Sequence, residues 1–220
     1  DWVLQDELPW VIGEFVWTGF DYVGEPTPYD EFWPSRSSYF GIFDLAGLPK
    51  DRYYLYRSHW NQKDNTIHLL PHWTFPGREG ETTAVYCYTN HPTAELFVNG
   101  KSQGKITKNT DVKKGAGKDE KITDISDPAI DRYRLRWNNV KYEPGELKVV
   151  VYDKNGNIAG SKTVKTAGAA KTIQLTGDLG APVKNIKADG EDMTFITVSI
   201  LDQDGTLVPD ADNQIQVSVN

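Results

Sequence analysis

Thirteen residues near the amino terminus hold the densest chemistry in the sequence: Trp17-Thr-Gly-Phe-Asp21-Tyr22-Val-Gly-Glu25-Pro-Thr-Pro-Tyr29. Aromatic faces stack on the C–H faces of sugar rings, and carboxylates and phenols bind sugar hydroxyls. Trp17, Asp21, Tyr22, Glu25 and Tyr29 are therefore the candidate substrate-binding residues. The same composition also fits core aromatics behind a solvated acidic rim. Glu14 and Glu25 could be considered an acid/nucleophile pair, but nothing in the sequence fixes their separation or gives them the contrasting environments such roles need. Glu14 reads instead as a buried, paired structural carboxylate.

Other candidates are weaker. His68 and His72 flank Pro71 in an extended stretch, so a hydrogen-bonded or surface role outweighs a zinc pair. Asp153-Lys-Asn-Gly156 and Asp202-Gln-Asp-Gly205 place glycine too early for a calcium loop and read as hairpin turns. Lys113, Lys114, Lys118 and Lys121 are interleaved with acids and lack aromatics, which describes a solvated loop. The single cysteine, Cys87, excludes an internal disulfide framework and reads as inert. No metal site is assigned.

Something must position the loop. Pro9–Trp17 is a mostly apolar run of the kind that forms a strand covered on both faces. Pro49-Lys50-Asp51-Arg52 opens a helix reaching about His59, with proline at its start. Thr82–Tyr88 alternates. Ala94–Lys105 is a hairpin around Asn99-Gly100, and Glu146–Val164 another around Asn155-Gly156. About seven short strands in roughly 100 residues suggest an immunoglobulin-like sandwich, with Thr107–Asp127 as a mobile surface loop. Thr166–Ala170 looks like a linker. Beyond it, strands are expected at Thr172–Leu175, Met193–Leu201 and Gln214–Val219, too few to close a second sandwich.

Composition divides the 220 residues in the same places. Residues 1–60 hold 16 of the 26 aromatics and a net charge of −6, residues 61–168 carry +4, and residues 169–220 carry −5. The total of −7 disfavours nucleic acid or an anionic membrane as partner. No apolar run approaches the ~18–20 residues of a membrane span.

Phe15-Val-Trp17-Thr-Gly-Phe-Asp21-Tyr22-Val-Gly-Glu25-Pro-Thr-Pro-Tyr29 resembles the last barrel strand and following loop of β-galactosidases of glycoside hydrolase family 2. Ser38-Tyr-Phe-Gly-Ile-Phe-Asp44 through Tyr56 is similar to that family's final barrel helix region. Glu95–Gly104 is similar to a hairpin of the sandwich after the barrel, and Ala188–Val198 to the start of a further immunoglobulin-like domain. The resemblance implies a mainly β chain in three parts. Residues 1–61 would be the C-terminal end of a (β/α)8 TIM-barrel catalytic domain, 62–168 an immunoglobulin-like β-sandwich, and 169–220 the truncated start of another immunoglobulin-like domain. It also implies a portion of a longer protein, in keeping with a first residue, Asp1, that is not methionine.

The implied function is retaining hydrolysis of terminal β-galactosides by two glutamates. In the family both lie upstream of the matched segment, so the expectation is no catalytic residue in this chain and no activity from it alone. Trp17 matches the family tryptophan that packs on the galactosyl ring. No cofactor is expected, with Mg²⁺ or Na⁺ used by some relatives. The expected partners are a β-galactoside-containing oligosaccharide or glycan, the remainder of the parent enzyme and a homo-oligomeric copy. The expected location is extracytoplasmic, periplasmic or secreted, in a bacterium. A severed barrel tail would expose Phe15, Val16 and Phe20. The alternative is a non-catalytic carbohydrate-binding or spacer β-sandwich module, whose candidate platform rings are Trp73 and Trp137.

Overall fold

The computed structural model describes residues 2–25, 31, 37–109, 130–177, 181–183 and 185–218. Its centre is a pair of antiparallel sheets. One contains β1 (Ile67–Leu70), β2 (Thr82–Thr89) and β5 (Leu135–Lys141) in the order β1-β2-β5. The other contains β3 (Thr93–Val98), β4 (Lys101–Thr107), β6 (Glu146–Tyr152) and β7 (Ile158–Lys165) in the order β4-β3-β6-β7. The chain is thus mainly β, as its sequence predicts.

Both hairpins lie where Asn-Gly places them. Asn99 and Gly100 take φ of 48° and 79°, the left-handed pair required by a two-residue turn matching strand twist. The Asn99 side chain accepts from Glu146 N at 2.8 Å and donates to the Pro144 carbonyl at 3.1 Å, tying this turn to the entry of β6. Register then follows from alternation. Ala94, Leu96 and Val98 of β3 face the same way as Leu147, Val149 and Val151 of β6, with Leu96 opposite Val149. These meet Val85, Cys87, Leu135, Trp137 and Val140 from the other sheet in one buried core. Burial pushes the Cys87 thiol up to about 12, which leaves it protonated and unreactive.

Trp73 and Trp137 are core residues, which corrects their reading as platform candidates. Each indole N–H finds a backbone acceptor inside, Glu143 O at 2.9 Å and Gly104 O at 3.0 Å, so the rings bury without an orphaned donor.

The N-terminal part contains α1 (Trp2–Glu7) and α2 (Asp51–Trp60). α2 follows Pro49, carries Asp51 in its first turn and Arg57 and His59 in its last, as the helix dipole favours. It packs on β1 and β2. The Tyr54 and His68 rings stack at 3.8 Å, and His68 Nε2 lies 2.7 Å from Asp51 Oδ1. α1, which the sequence did not reveal, inserts Trp2 between Tyr56, His59 and Tyr133, and Arg132 pairs with Glu7 at 2.8 Å.

The expected strand over Pro9–Trp17 is absent: residues 11–16 form no ladder. A strand exists only against a neighbour, and none of the described residues pairs with this segment as a strand. Phe15 and Phe20 are exposed as expected, whereas Val16 is half-buried. Glu14 is half-buried with Oε1 enclosed but no hydrogen-bond partner, so the pairing expected for it is not found.

At the carboxyl end, β8 (Thr172–Thr176) pairs with β9 (Thr197–Leu201). The expected strand at Gln214–Val219 is not formed over 214–218, and that at Met193–Leu201 begins only at Thr197. Among the described residues β8 and β9 pair as strands only with each other, and Ile173, Leu175, Phe195 and Val217 are exposed. The expected turn at Asp202–Gly205 is present. The 166–170 segment is no free linker: Ala167 N donates to Thr74 Oγ1 and Gly168 N to Asp202 Oδ2. The lysine-rich loop falls almost wholly outside the described residues.

Candidate functional site

Residues 18–23 are clasped to residues 37–43 by backbone hydrogen bonds. Ile42 N donates to Thr18 O at 3.1 Å, Phe43 N to Gly19 O at 2.8 Å, Asp21 N to Phe43 O at 2.9 Å and Ser38 N to Tyr22 O at 2.9 Å. Phe20 stacks on Phe43 at 5.1 Å beside them. Gly41 makes the close approach feasible, because a Cβ there would meet Asp21 N at 2.4 Å, Phe20 C at 2.6 Å and Phe43 O at 2.7 Å.

Asp21 points inward. Its carboxylate accepts from Gly41 N at 2.8 Å and pairs with Lys50 Nζ at 2.5 Å, and only 4% of its side chain is exposed. Lys50 also donates to the Tyr39 carbonyl at 3.0 Å. Lys50 immediately precedes α2, so the helix anchors the clasp through an ion pair whose carboxylate is buried and whose ammonium is part-exposed. Asp21 shapes the loop in this structure and does not face a ligand from solvent.

Trp17, Tyr22 and Glu25 face outward together. Trp17 is 74% exposed, and its Nε1–H donates to the Tyr22 hydroxyl at 3.3 Å. That hydroxyl donates to Glu25 Oε2. The Tyr22 ring meets Trp17 edge-on at 6.1 Å and Phe40 at 5.9 Å, and its amide donates to Ser38 Oγ at 3.0 Å. The Trp17–Thr18 peptide is cis. Tyr29 lies outside the described residues. An exposed indole beside a phenol and a carboxylate can stack on an apolar ring face and bind its hydroxyls.

Ser38, Phe40, Gly41 and Lys50 complete the arrangement and were not singled out as site residues from sequence. The signal for Ser38, Phe40 and Gly41 was the Ser38–Asp44 stretch itself, whose glycine stands among aromatics, and Lys50 was marked only as part of the opening of α2. A hollow of about 720 Å³ lies elsewhere, lined by Ile42, Phe43, Tyr53, Tyr56 and Trp60 among others. It does not include Trp17, Tyr22 or Glu25, which form an open wall. His68 and His72 do not converge: His68 engages Asp51, while His72 Nδ1 accepts from Thr74 N. Among the described residues no three metal-ligating side chains cluster, and no helix is long and apolar enough to cross a membrane.

Comparison with known proteins defines the class. Residues 178–220 match glycoside hydrolase family 2 C-terminal domain 5, and residues 80–160 match a domain of unknown function (DUF4982). The chain belongs to glycoside hydrolase family 2 and corresponds to the C-terminal part of proteins in that family. It is 46% identical over 211 residues to beta-galactosidase BoGH2A of Bacteroides ovatus, covering 95% of this chain and 21% of that protein. It is 33% identical over 217 residues to a putative beta-glucuronidase of Formosa agariphila, covering 97% of this chain and 18% of that protein. The chain therefore spans about a fifth of the length of these curated relatives. Among solved structures, a beta-glycosidase from Bacteroides vulgatus superposes with a TM-score of 0.74 at 33% identity, over 94% of this chain and 23% of that one. A glycosyl hydrolase family 2 member from Bacteroides cellulosilyticus gives 0.73 at 29% identity, over 94% of this chain and 28% of that one.

Proposed function

We propose that this chain forms part of a retaining glycoside hydrolase acting on terminal β-galactosides, in which it supplies one wall of the sugar site and accessory β-sandwiches. The observation that carries the reading is the exposed Trp17 indole, held beside Tyr22 and Glu25 on a loop clasped to residues 37–43. The two catalytic glutamates lie outside these 220 residues under this reading, so the chain binds and orients sugar without breaking the glycosidic bond. Residues 1–61 close a (β/α)8 barrel, 62–168 form an immunoglobulin-like sandwich and 169–220 begin another. The exposed Ile12 and Phe15 then meet the neighbouring barrel strands of the same enzyme.

A neutral galactoside is favoured over a glucuronide by charge. A glucuronide carries a carboxylate, and the negative charge of Glu25 stands behind the Trp17–Tyr22 pair, while the nearby cation Lys50 is held by Asp21. Repulsion between like charges acts without contact and disfavours that substrate. We further propose an extracytoplasmic bacterial setting, no required cofactor, and a glycan substrate. The buried Trp73 and Trp137 argue against a glycan platform on the sandwich, leaving it the role of spacer and support.

The test is hydrolysis of aryl β-galactoside and aryl β-glucuronide by the full-length enzyme and by its Trp17→Ala variant. Galactoside preference with a loss of 100-fold or more in kcat/KM on substitution is expected. Preference for the glucuronide, or unchanged galactosidase activity in the variant, refutes the assignment.

A further inference from the structure

We infer that Tyr22 and Glu25 serve the sugar wall as positioning residues that act through Trp17, rather than as direct contacts to the sugar; the inference rests on the reading of Trp17 as the ring-stacking face. The Tyr22 hydroxyl has one proton, and the structure commits it to Glu25 Oε2. Its oxygen in turn accepts the Trp17 Nε1–H at 3.3 Å. A phenol used in both directions has little left to offer a ligand. Tyr22 is itself fixed on three sides, by Ser38 through reciprocal backbone-side contacts and by edge contacts to Phe40 and Trp17. Ser38 is fully buried, so the anchor of this chain of contacts belongs to the clasp.

The arrangement answers a physical need. An indole that is three-quarters exposed has few neighbours to hold its two side-chain torsions, and a stacking face is useful only at a defined tilt. The hydrogen bond from Nε1 sets that tilt. Donation from Tyr22 to a carboxylate makes the phenol oxygen a stronger acceptor for the indole N–H, since linked hydrogen bonds polarise one another. Glu25 therefore reaches the sugar only through the ring it helps to orient.

A double-mutant cycle in the full-length enzyme separates this role from direct binding. Tyr22→Phe and Glu25→Ala are each expected to lower kcat/KM for a β-galactoside roughly 3–10-fold, the effect of one lost positioning hydrogen bond. In a Trp17→Phe background, which keeps a ring but removes the N–H, either change should have no further effect. Glu25→Gln, which keeps an acceptor, should recover most of the Glu25→Ala loss. In the 220-residue chain, the Trp17 indole N–H resonance should move upfield in both Tyr22→Phe and Glu25→Ala, with thermal midpoints unchanged. Losses that multiply fully with Trp17→Phe overturn the inference in favour of direct sugar contact. Silent Tyr22 and Glu25 variants beside a damaging Trp17→Ala overturn it while leaving the sugar wall intact. A harmless Trp17→Ala overturns the wall and this inference together.

Discussion

Gly41→Ala is the smallest change that should dismantle the wall without touching any side chain on it. The added methyl would lie 2.4 Å from Asp21 N, 2.6 Å from Phe20 C and 2.7 Å from Phe43 O. All three are backbone atoms, so no rotamer change relieves the overlap. Reaching ordinary contact at 3.4 Å requires the two segments to separate by up to about 1 Å. The bonds Asp21 N to Phe43 O at 2.9 Å and Phe43 N to Gly19 O at 2.8 Å would then stretch beyond hydrogen-bonding range. Gly41 N to Asp21 Oδ1, made to a charged acceptor, would go with them. Two neutral bonds and one charge-assisted bond amount to about 3–5 kcal/mol of local stability. Amide hydrogen exchange at Asp21 and Phe43 should accelerate by two orders of magnitude or more, while the amides of β3 and β6 keep their protection. Gly19→Ala is the control, because nothing lies within 4 Å of a Cβ there although Gly19 sits in the same clasp. Slow exchange at Asp21 and Phe43 in the Gly41→Ala chain, equal to that of the unsubstituted chain, would refute the close-approach argument.

Three other perturbations test separate parts of the structure. Lys50→Met leaves the buried Asp21 carboxylate without its part-exposed cation and should destabilise the clasp by about 1–3 kcal/mol, read by the same amide exchange; Asp21→Asn combined with it should restore part of the loss. Trp73→Phe removes the donor to Glu143 O and leaves space in the core, lowering the stability of the sandwich in urea by about 2–4 kcal/mol with little change in slope. His59 stacks on Trp2 at 4.4 Å, and burial holds its pKa below the ordinary value, with Asp6 and Glu14 raising it in part and Lys108 lowering it. The folded state thus disfavours the protonated ring, so the docking of α1 is strongest above about pH 6.5 and weakens as pH falls through the depressed pKa. Trp fluorescence should report that loss in the unsubstituted chain and a flatter profile in His59→Gln.

What the sequence revealed and what it hid differ in range. Asn99-Gly100 and Asn155-Gly156 act within four residues, and Pro49 with Asp51 acts within one helical turn, so hairpins and α2 were readable from neighbours alone. Alternation in β3 and β6 placed the core for the same reason. The clasp was unreadable because its determinants are distant: Asp21 meets Gly41 twenty positions away, and Lys50 farther still. Composition marked Asp21 as one more acid on an aromatic loop, and only the fold shows it turned inward. Trp73 was misread because Pro71 interrupts the alternation that would have marked its burial. The Pro9–Trp17 run had strand composition without a strand's neighbour, and composition cannot supply one.

The sandwich bears on the wall through a continuous series of contacts. His68 on β1 stacks on Tyr54 and meets Asp51, both in α2. One residue before that helix, Lys50 grips Asp21, and Asp21 adjoins Tyr22, which holds the Trp17 indole. Each link is short-ranged and made by different chemistry, so the orientation of an exposed ring derives from a rigid β core that has no exposed part in the site. If that account is right, His68→Ala, which removes both the stack and the Asp51 contact, should speed amide exchange at the start of α2 and then at Asp21, in that order of magnitude. The exchange of β3 and β6 should not change. Faster exchange at α2 with an unaltered Asp21 would mean that Lys50 holds the clasp independently of the sandwich, and the series would be broken at that residue.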